Sequence, residues 1–174
     1  LFHCNIASSA IAAALYPKLP YDPLRDFAMV SRIATTANAL IVHPSFPAKS
    51  VAEFIAYAKS NPGKVSYGSP GVGTSPHLSM ELFKSITGIN VVHIAYKGAM
   101  PALADLMGGQ IPVMLANLPA LLPHIVSGKI RALAVTAAKR TAQLPAVPTM
   151  LESGVRDYVV TAWYGMCAPA GTPA

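Results

Sequence analysis

Long apolar runs, clustered charge and paired cysteines are scarce in this sequence, and each scarcity closes off a class of function. No run of about 18 or more consecutive apolar residues occurs, so a membrane-spanning helix is excluded. Only 11% of the 174 residues are charged. Lys and Arg outnumber Asp and Glu by 13 to 7, yet Lys139 and Arg140 are the only adjacent basic pair, and the aromatic residues do not interleave with the basic ones. The formal excess of +6 therefore suits a small acidic solute better than a nucleic-acid backbone, and no nucleic-acid partner is expected.

Cys4 and Cys167 stand near opposite ends of the chain, which fits neither a CxxC pair nor a metal-ligand spacing. A disulfide is open to them if the ends meet in space; two free buried thiols are the expectation. The five histidines never reach HExxH spacing, so neither metal nor cofactor is expected. No serine has a GxSxG setting and neither cysteine has an adjacent base, so no residue is assigned a catalytic role. GxxxxGK[ST] is absent, and GxGxxG fails because Pro76 stands where the third glycine would follow Gly71 and Gly73. The sequence opens on Leu1-Phe2 rather than Met, so the natural N-terminus and any export signal are expected to lie outside it.

What remains is a chain that is 53% apolar and long enough for one well-filled core. A small-residue stretch predicts a short helix over 10–15, capped by Asn5 or Ser8, before a proline-punctuated connector. Residues 27–42 read as two strands interrupted near 35–38. Ser50 followed by Glu53 is a capping-box signature for a helix over 51–59. Strands follow at 65–67, 91–95, 111–116 and 130–136, with helices from Ser75 to Gly88, over 99–107 and over 118–126. A last strand is expected over 159–168. Strand and helix thus alternate at a period of about 20 to 26 residues, which with right-handed crossovers predicts a mostly parallel α/β sheet covered on both sides. The flanks, 1–44 and 159–174, leave this beat and read as part of a second α/β unit, with 45–158 as the regular one.

Ligands of open parallel sheets sit beyond the carboxyl ends of the strands, and three loops have that address: 68–75, 95–99 and 116–118. The first is the richest. Gly71 and Gly73 let successive backbone N–H groups converge, Ser69, Thr74 and Ser75 carry hydroxyls, and Ser75 is the expected N-cap with Pro76 at the first helical position. Such a helix start is a seat for an anion. His77 could face that anion or tie the loop to a neighbouring backbone, and Lys97, beside Tyr96, could add positive potential or be a solvated turn residue. His93 and His124 read as structural. Asn117 could donate to the ligand or cap the 118–126 helix, and Trp163 and Tyr164 could wall a cleft or fill the core.

Several segments together carry a resemblance: Tyr16-Pro17-Lys18-Leu19-Pro20-Tyr21-Asp22-Pro23, Gly73-Thr74-Ser75-Pro76-His77-Leu78, His93-Ile94-Ala95-Tyr96-Lys97-Gly98, Asn117-Leu118-Pro119 and Leu133-Ala134-Val135-Thr136. In this order they resemble the substrate-binding proteins of tripartite tricarboxylate transporters, also called the Bordetella uptake gene family. The resemblance implies a periplasmic-binding-protein-like fold of type II. It also implies a monomeric periplasmic receptor whose two domains close on a small carboxylated solute and deliver it to membrane permease subunits. The chain would then be the central piece of a longer protein. Carried over by position, Ser69, Gly71, Gly73, Thr74, Ser75, His77, Tyr96, Ala116 and Asn117 become the ligand-binding set. Ala116 stands where family members often have Asp, which disfavours an amino-acid ligand against a plain carboxylic acid. A sensor or protein-contact domain, and an enzyme acting on a small acid, are the competing readings.

Overall fold

One strand organises the molecule. The computed structural model describes residues 1–173, so Ala174, the end of the predicted flank 159–174, lies outside it. β1 (Phe2–Asn5) leads through a π-helical turn (Ala7–Ile11) into α1 (Ala12–Leu15), and the chain then enters β2 (Phe27–Val42). The two strands expected over 27–42 are one strand of 16 residues. The predicted break marks a change of partner instead. β2 pairs antiparallel with β7 (Thr161–Pro169) as far as Ala37↔Thr161, and from Asn38↔Asn117 onward it pairs with β5 (Val113–Asn117). Irregularities between Met29 and Ser31 and between Arg32 and Ala34 bend its first part, as extra residues in a ladder do.

Between these strands run α2 (Val51–Ser60), β3 (Ser66–Ser69), α3 (Ser75–Thr87), β4 (Val92–Ala95), α4 (Ala99–Met107), α5 (Leu118–Val126) and β6 (Arg131–Val135). β3 pairs parallel with both β4 and β5, while β2 pairs antiparallel with β5 and with β6. Within this part of the seven-stranded sheet β3, β4, β5 and β6 therefore point one way and β2 runs against them, so the sheet expected to be mostly parallel is mixed. The opposing strand is the one that enters from the flank, with no βαβ crossover to set its direction. β1 pairs antiparallel with β7, which brings the two chain ends together.

Alternation along β2 sends Leu40 and Val42 to one face, with Phe54, Phe83 and Tyr67, and Ala39 and Ile41 to the other, with Leu103, Leu106 and Leu121. Both faces are covered by helices. At α2 the Ser50 cap forms, the Glu53 N–H donating to Ser50 Oγ (3.2 Å), but the expected reciprocal bond is shifted by one residue: Glu53 Oε2 accepts from the Lys49 N–H (2.7 Å) and not from that of Ser50. At the chain start, Asn5 Oδ1 accepts from the N–H groups of Ala7 (2.9 Å) and Ser8 (3.1 Å). Cys4 and Cys167 are free and buried on neighbouring strands.

Candidate functional site: a donor-lined cleft

The 69–77 loop is built from beneath. Ser69, fully buried, holds His93 Nε2 at 2.7 Å through its hydroxyl and accepts from the Gly71 N–H at 3.2 Å. The backbone takes positive φ at Gly71 (145°) and Gly73 (75°). A Cβ on Gly73 would also meet Leu15 Cδ2 at 2.9 Å, so glycine answers both the conformation and the close approach of α1. Thr74 Oγ1 donates to the Gly71 carbonyl (2.7 Å) and accepts from the His77 N–H (3.4 Å). Thr74 is thus the N-cap of α3, not Ser75 as the sequence suggested. The helix begins one residue earlier because the Thr74 hydroxyl, not the buried Ser75 one, lies over its free N–H groups.

Of the two roles open to His77, the structure shows the structural tie: its Nδ1 accepts from the Gly73 N–H (3.3 Å). Its ring stacks on His93 at 4.3 Å, and His93 stacks on Tyr67 at 4.8 Å. Burial lowers the pKa of both imidazoles, and His77 lowers that of His93 further. Both rings are therefore neutral at pH 7, and His77 Nδ1 stays an acceptor.

Above the loop lies a small cleft of about 110 Å³ whose polar lining includes Asn5, Thr74, Ser75, Asn117 and Tyr164. α3 and α5 both open onto it, each with proline in the first turn and with no acidic side chain there. Pro76 has no N–H and the His77 N–H goes to Thr74, while the Ser75 N–H takes no acceptor among the described residues. Two helix starts carrying partial positive charge thus converge on neutral donors, an arrangement that attracts an anion without a fixed cation.

Asn38 stands beneath this cleft. It is fully buried where β2 changes partner, and its Nδ2 donates to Ser75 Oγ (2.8 Å) and Ser79 Oγ (2.9 Å) while its Oδ1 accepts from Asn117 Nδ2 (2.8 Å). Asn117 occupies the N-cap position of α5, but its side chain makes no cap bond; the expected capping role is displaced by the bond to Asn38. The Asn38 N–H donates to Thr136 Oγ1 (2.9 Å), and Thr136 Oγ1 donates to the Val160 carbonyl (2.6 Å). One hydroxyl therefore joins the point where β2 changes partner to the segment that leads into β7.

The predicted residues divide in three. Thr74, Ser75 and Asn117 line the cleft. Ser69, Gly71, Gly73 and His77 support it from below. Tyr96 and Ala116 turn elsewhere. The Tyr96 hydroxyl donates to Asp105 on α4 (2.7 Å), and burial with that bond pushes its pKa up to about 12. Ala116, expected to face the ligand, is wholly enclosed in the apolar cluster with Ala37 and Ala39, because its register opposite Ala39 turns it to the helix-covered face. The argument against an amino-acid ligand loses its footing there. Lys97 is exposed. Sequence reasoning missed Asn5 as a wall residue and Asn38 altogether; an asparagine between Ala37 and Ala39 in an apolar strand was the available signal.

An α/β unit entered by an opposing strand, with helices on both faces of a mixed sheet, has the periplasmic-binding-protein-like fold of type II. Residues 3–174 match the family profile described as "Tripartite tricarboxylate transporter family receptor", and the chain belongs to that family. It is similar to protein BugT of Bordetella pertussis, 38% identical over 172 residues that make up 99% of this chain and 53% of that protein. Among solved structures it is similar to Rpa4515 of R. palustris with adipate, at a TM-score of 0.95 and 41% identity over 99% of this chain and 57% of that one. MatC of Rhodopseudomonas palustris with bound malate superposes at a TM-score of 0.91 and 30% identity, over 98% and 58% of the two chains. The chain spans about half the length of the curated relatives it matches.

Proposed function

We propose that these residues form the ligand-grasping part of a periplasmic receptor that binds a small carboxylate non-catalytically and hands it to the permease subunits of a tripartite tricarboxylate-type transporter. The observation that carries this reading is the convergence of two proline-started helices on one cleft of neutral donors. A carboxylate there gains from both helix dipoles and from charge-assisted bonds to Ser75 and Asn117. The relatives solved with adipate and with malate support a carboxylate as guest. Residues 45–158 act as one domain and the flanks, 1–44 and 159–174, as part of the other, in a monomer; the change of partner along β2 at Asn38 supports a division in this part of the chain.

The test is calorimetry of the protein expressed from its whole gene against a panel of dicarboxylates, tricarboxylates and aromatic acids. At least one is expected to bind without turnover. Ser75→Ala weakens that binding by about 1 to 2 kcal/mol, the worth of a hydrogen bond to a charged group. Binding of none of the panel, or conversion of a bound acid to product, would refute the reading.

A further inference from the structure

The bonds around Asn38 run in one consistent direction. The Ser79 hydroxyl donates its only proton to the Ser75 carbonyl (2.7 Å), so toward Asn38 it can only accept. The Asn38 atom facing it must then be the donor Nδ2. That same nitrogen reaches Ser75 Oγ, so the Ser75 oxygen is also an acceptor here, and its own proton is left without an acceptor among the described residues. With Nδ2 facing the two serines, Oδ1 faces Asn117, which must answer with its amide nitrogen. The second Asn117 N–H is likewise left over. Ser75 and Asn117 both line the cleft, whereas Asn38 and Ser79 are buried beneath it.

We propose that Asn38, locked in one amide orientation by Ser79, is the positioning residue that makes Ser75 and Asn117 hydrogen-bond donors toward the cleft and so selects an anionic guest. The inference rests on the carboxylate-receptor reading above and deepens it. Asn38 touches no ligand. It sets the polarity of the two residues that do, and it does so from the point where β2 changes partner.

The decisive variant is Asn38→Asp in the protein expressed from its whole gene. A carboxylate of the same shape cannot donate to Ser79 or Ser75, so the Ser75 proton turns down toward the introduced carboxylate and is lost to the cleft. With adipate and malate as probes, affinity is expected to fall by about thirtyfold or more at pH 8. The fall should reverse in part on acidification, because a buried carboxyl protonates readily and then has one O–H to donate where the amide has two N–H groups. The ratio of variant to parent affinity therefore rises from pH 8 to pH 6. A merely structural role for Asn38 would show instead as a lowered thermal midpoint of the variant, with the affinity of its folded fraction unchanged at both pH values. Ser79→Ala is the second variant, should Asn38→Asp fail to fold; releasing the lock is expected to weaken binding by about threefold to tenfold with the cleft untouched. If the parent binds a probe and either folded variant binds it within twofold of the parent across this pH range, the inference is overturned while the receptor reading stands. If the parent binds neither probe, NMR exchange of the Asn38 side-chain amide decides: slow exchange of both protons supports the locked orientation, and exchange at the rate of an exposed amide overturns it.

Discussion

The two parts of β2 share one conformation and have opposite surroundings. From Ala28 to Thr35 every residue is exposed, including Ile33 at 62%, whereas Ala37 to Val42 are all buried. The apolar content is not what differs, since Met29, Val30 and Ile33 lie in the exposed part. What differs is cover: α2 to α5 supply two apolar faces for the second part and none of them packs over the first. Burial in this strand is set by which elements lie alongside, not by the strand's own residues.

The largest expected effect tests this contrast directly. Leu40→Ala should cost about 2 to 5 kcal/mol of unfolding free energy in the 174-residue chain, the usual range for emptying a packed site. Ile33→Ala in the same chain should stay within about 0.5 kcal/mol, as exposed substitutions do. Denaturant titration of both variants checks the pair, and equal losses would abolish the comparison. Repeating Ile33→Ala in the protein from its whole gene sharpens it, since a loss appearing only there means that further residues cover this face.

Next in size is Gly73→Ala, expected to cost about 1 to 2 kcal/mol for a left-handed residue, plus the contact with Leu15. Gly128→Ala, with φ of 72° and no atom within 4 Å of the added methyl, carries the conformational part alone. The excess at Gly73 measures how firmly α1 of the open region is held against the loop of the closed one. Thr74→Ala should cost about 1 kcal/mol through loss of the cap, read as a lowered thermal midpoint.

The smallest effect is in pH. Because the folded-state pKa values of His77 and His93 lie below their ordinary value, the unfolded chain binds more protons as the pH falls. The stabilisation is complete above about pH 6.5, the unfolded imidazole value, and is lost as the pH drops through the lowered folded values. A thermal midpoint followed from pH 8 to pH 5 should decline in the acid half, and His93→Gln should flatten part of that slope. A parent midpoint unchanged over this range would show that the stack carries no linked protonation.

Local signals read well where local physics is sufficient. The Ser50 cap, the boundaries of α4 and α5, and the glycine-rich loop before α3 all stand as the sequence suggests. Caps, apolar periodicity and glycine turns are short-range effects, so a few neighbouring residues decide them. Reading failed where a partner distant in sequence intervened. Thr136, 98 residues from Asn38, helps to hold β2 continuous through its predicted break. Asn38, 79 residues from Asn117, takes the side chain that would have capped α5.

The sequence by itself determined the alternation of strand and helix, the small-residue loop at the start of α3 and the sparse, scattered charge that fits a small acid. Only the tertiary structure decided that Ser75 is buried and accepts from Asn38 instead of capping α3, that His77 props the loop from below, and that Ala116 belongs to the core. The physical reason is that a polar side chain takes whichever partner burial brings to it, and burial is fixed by strand register and helix cover across the whole chain.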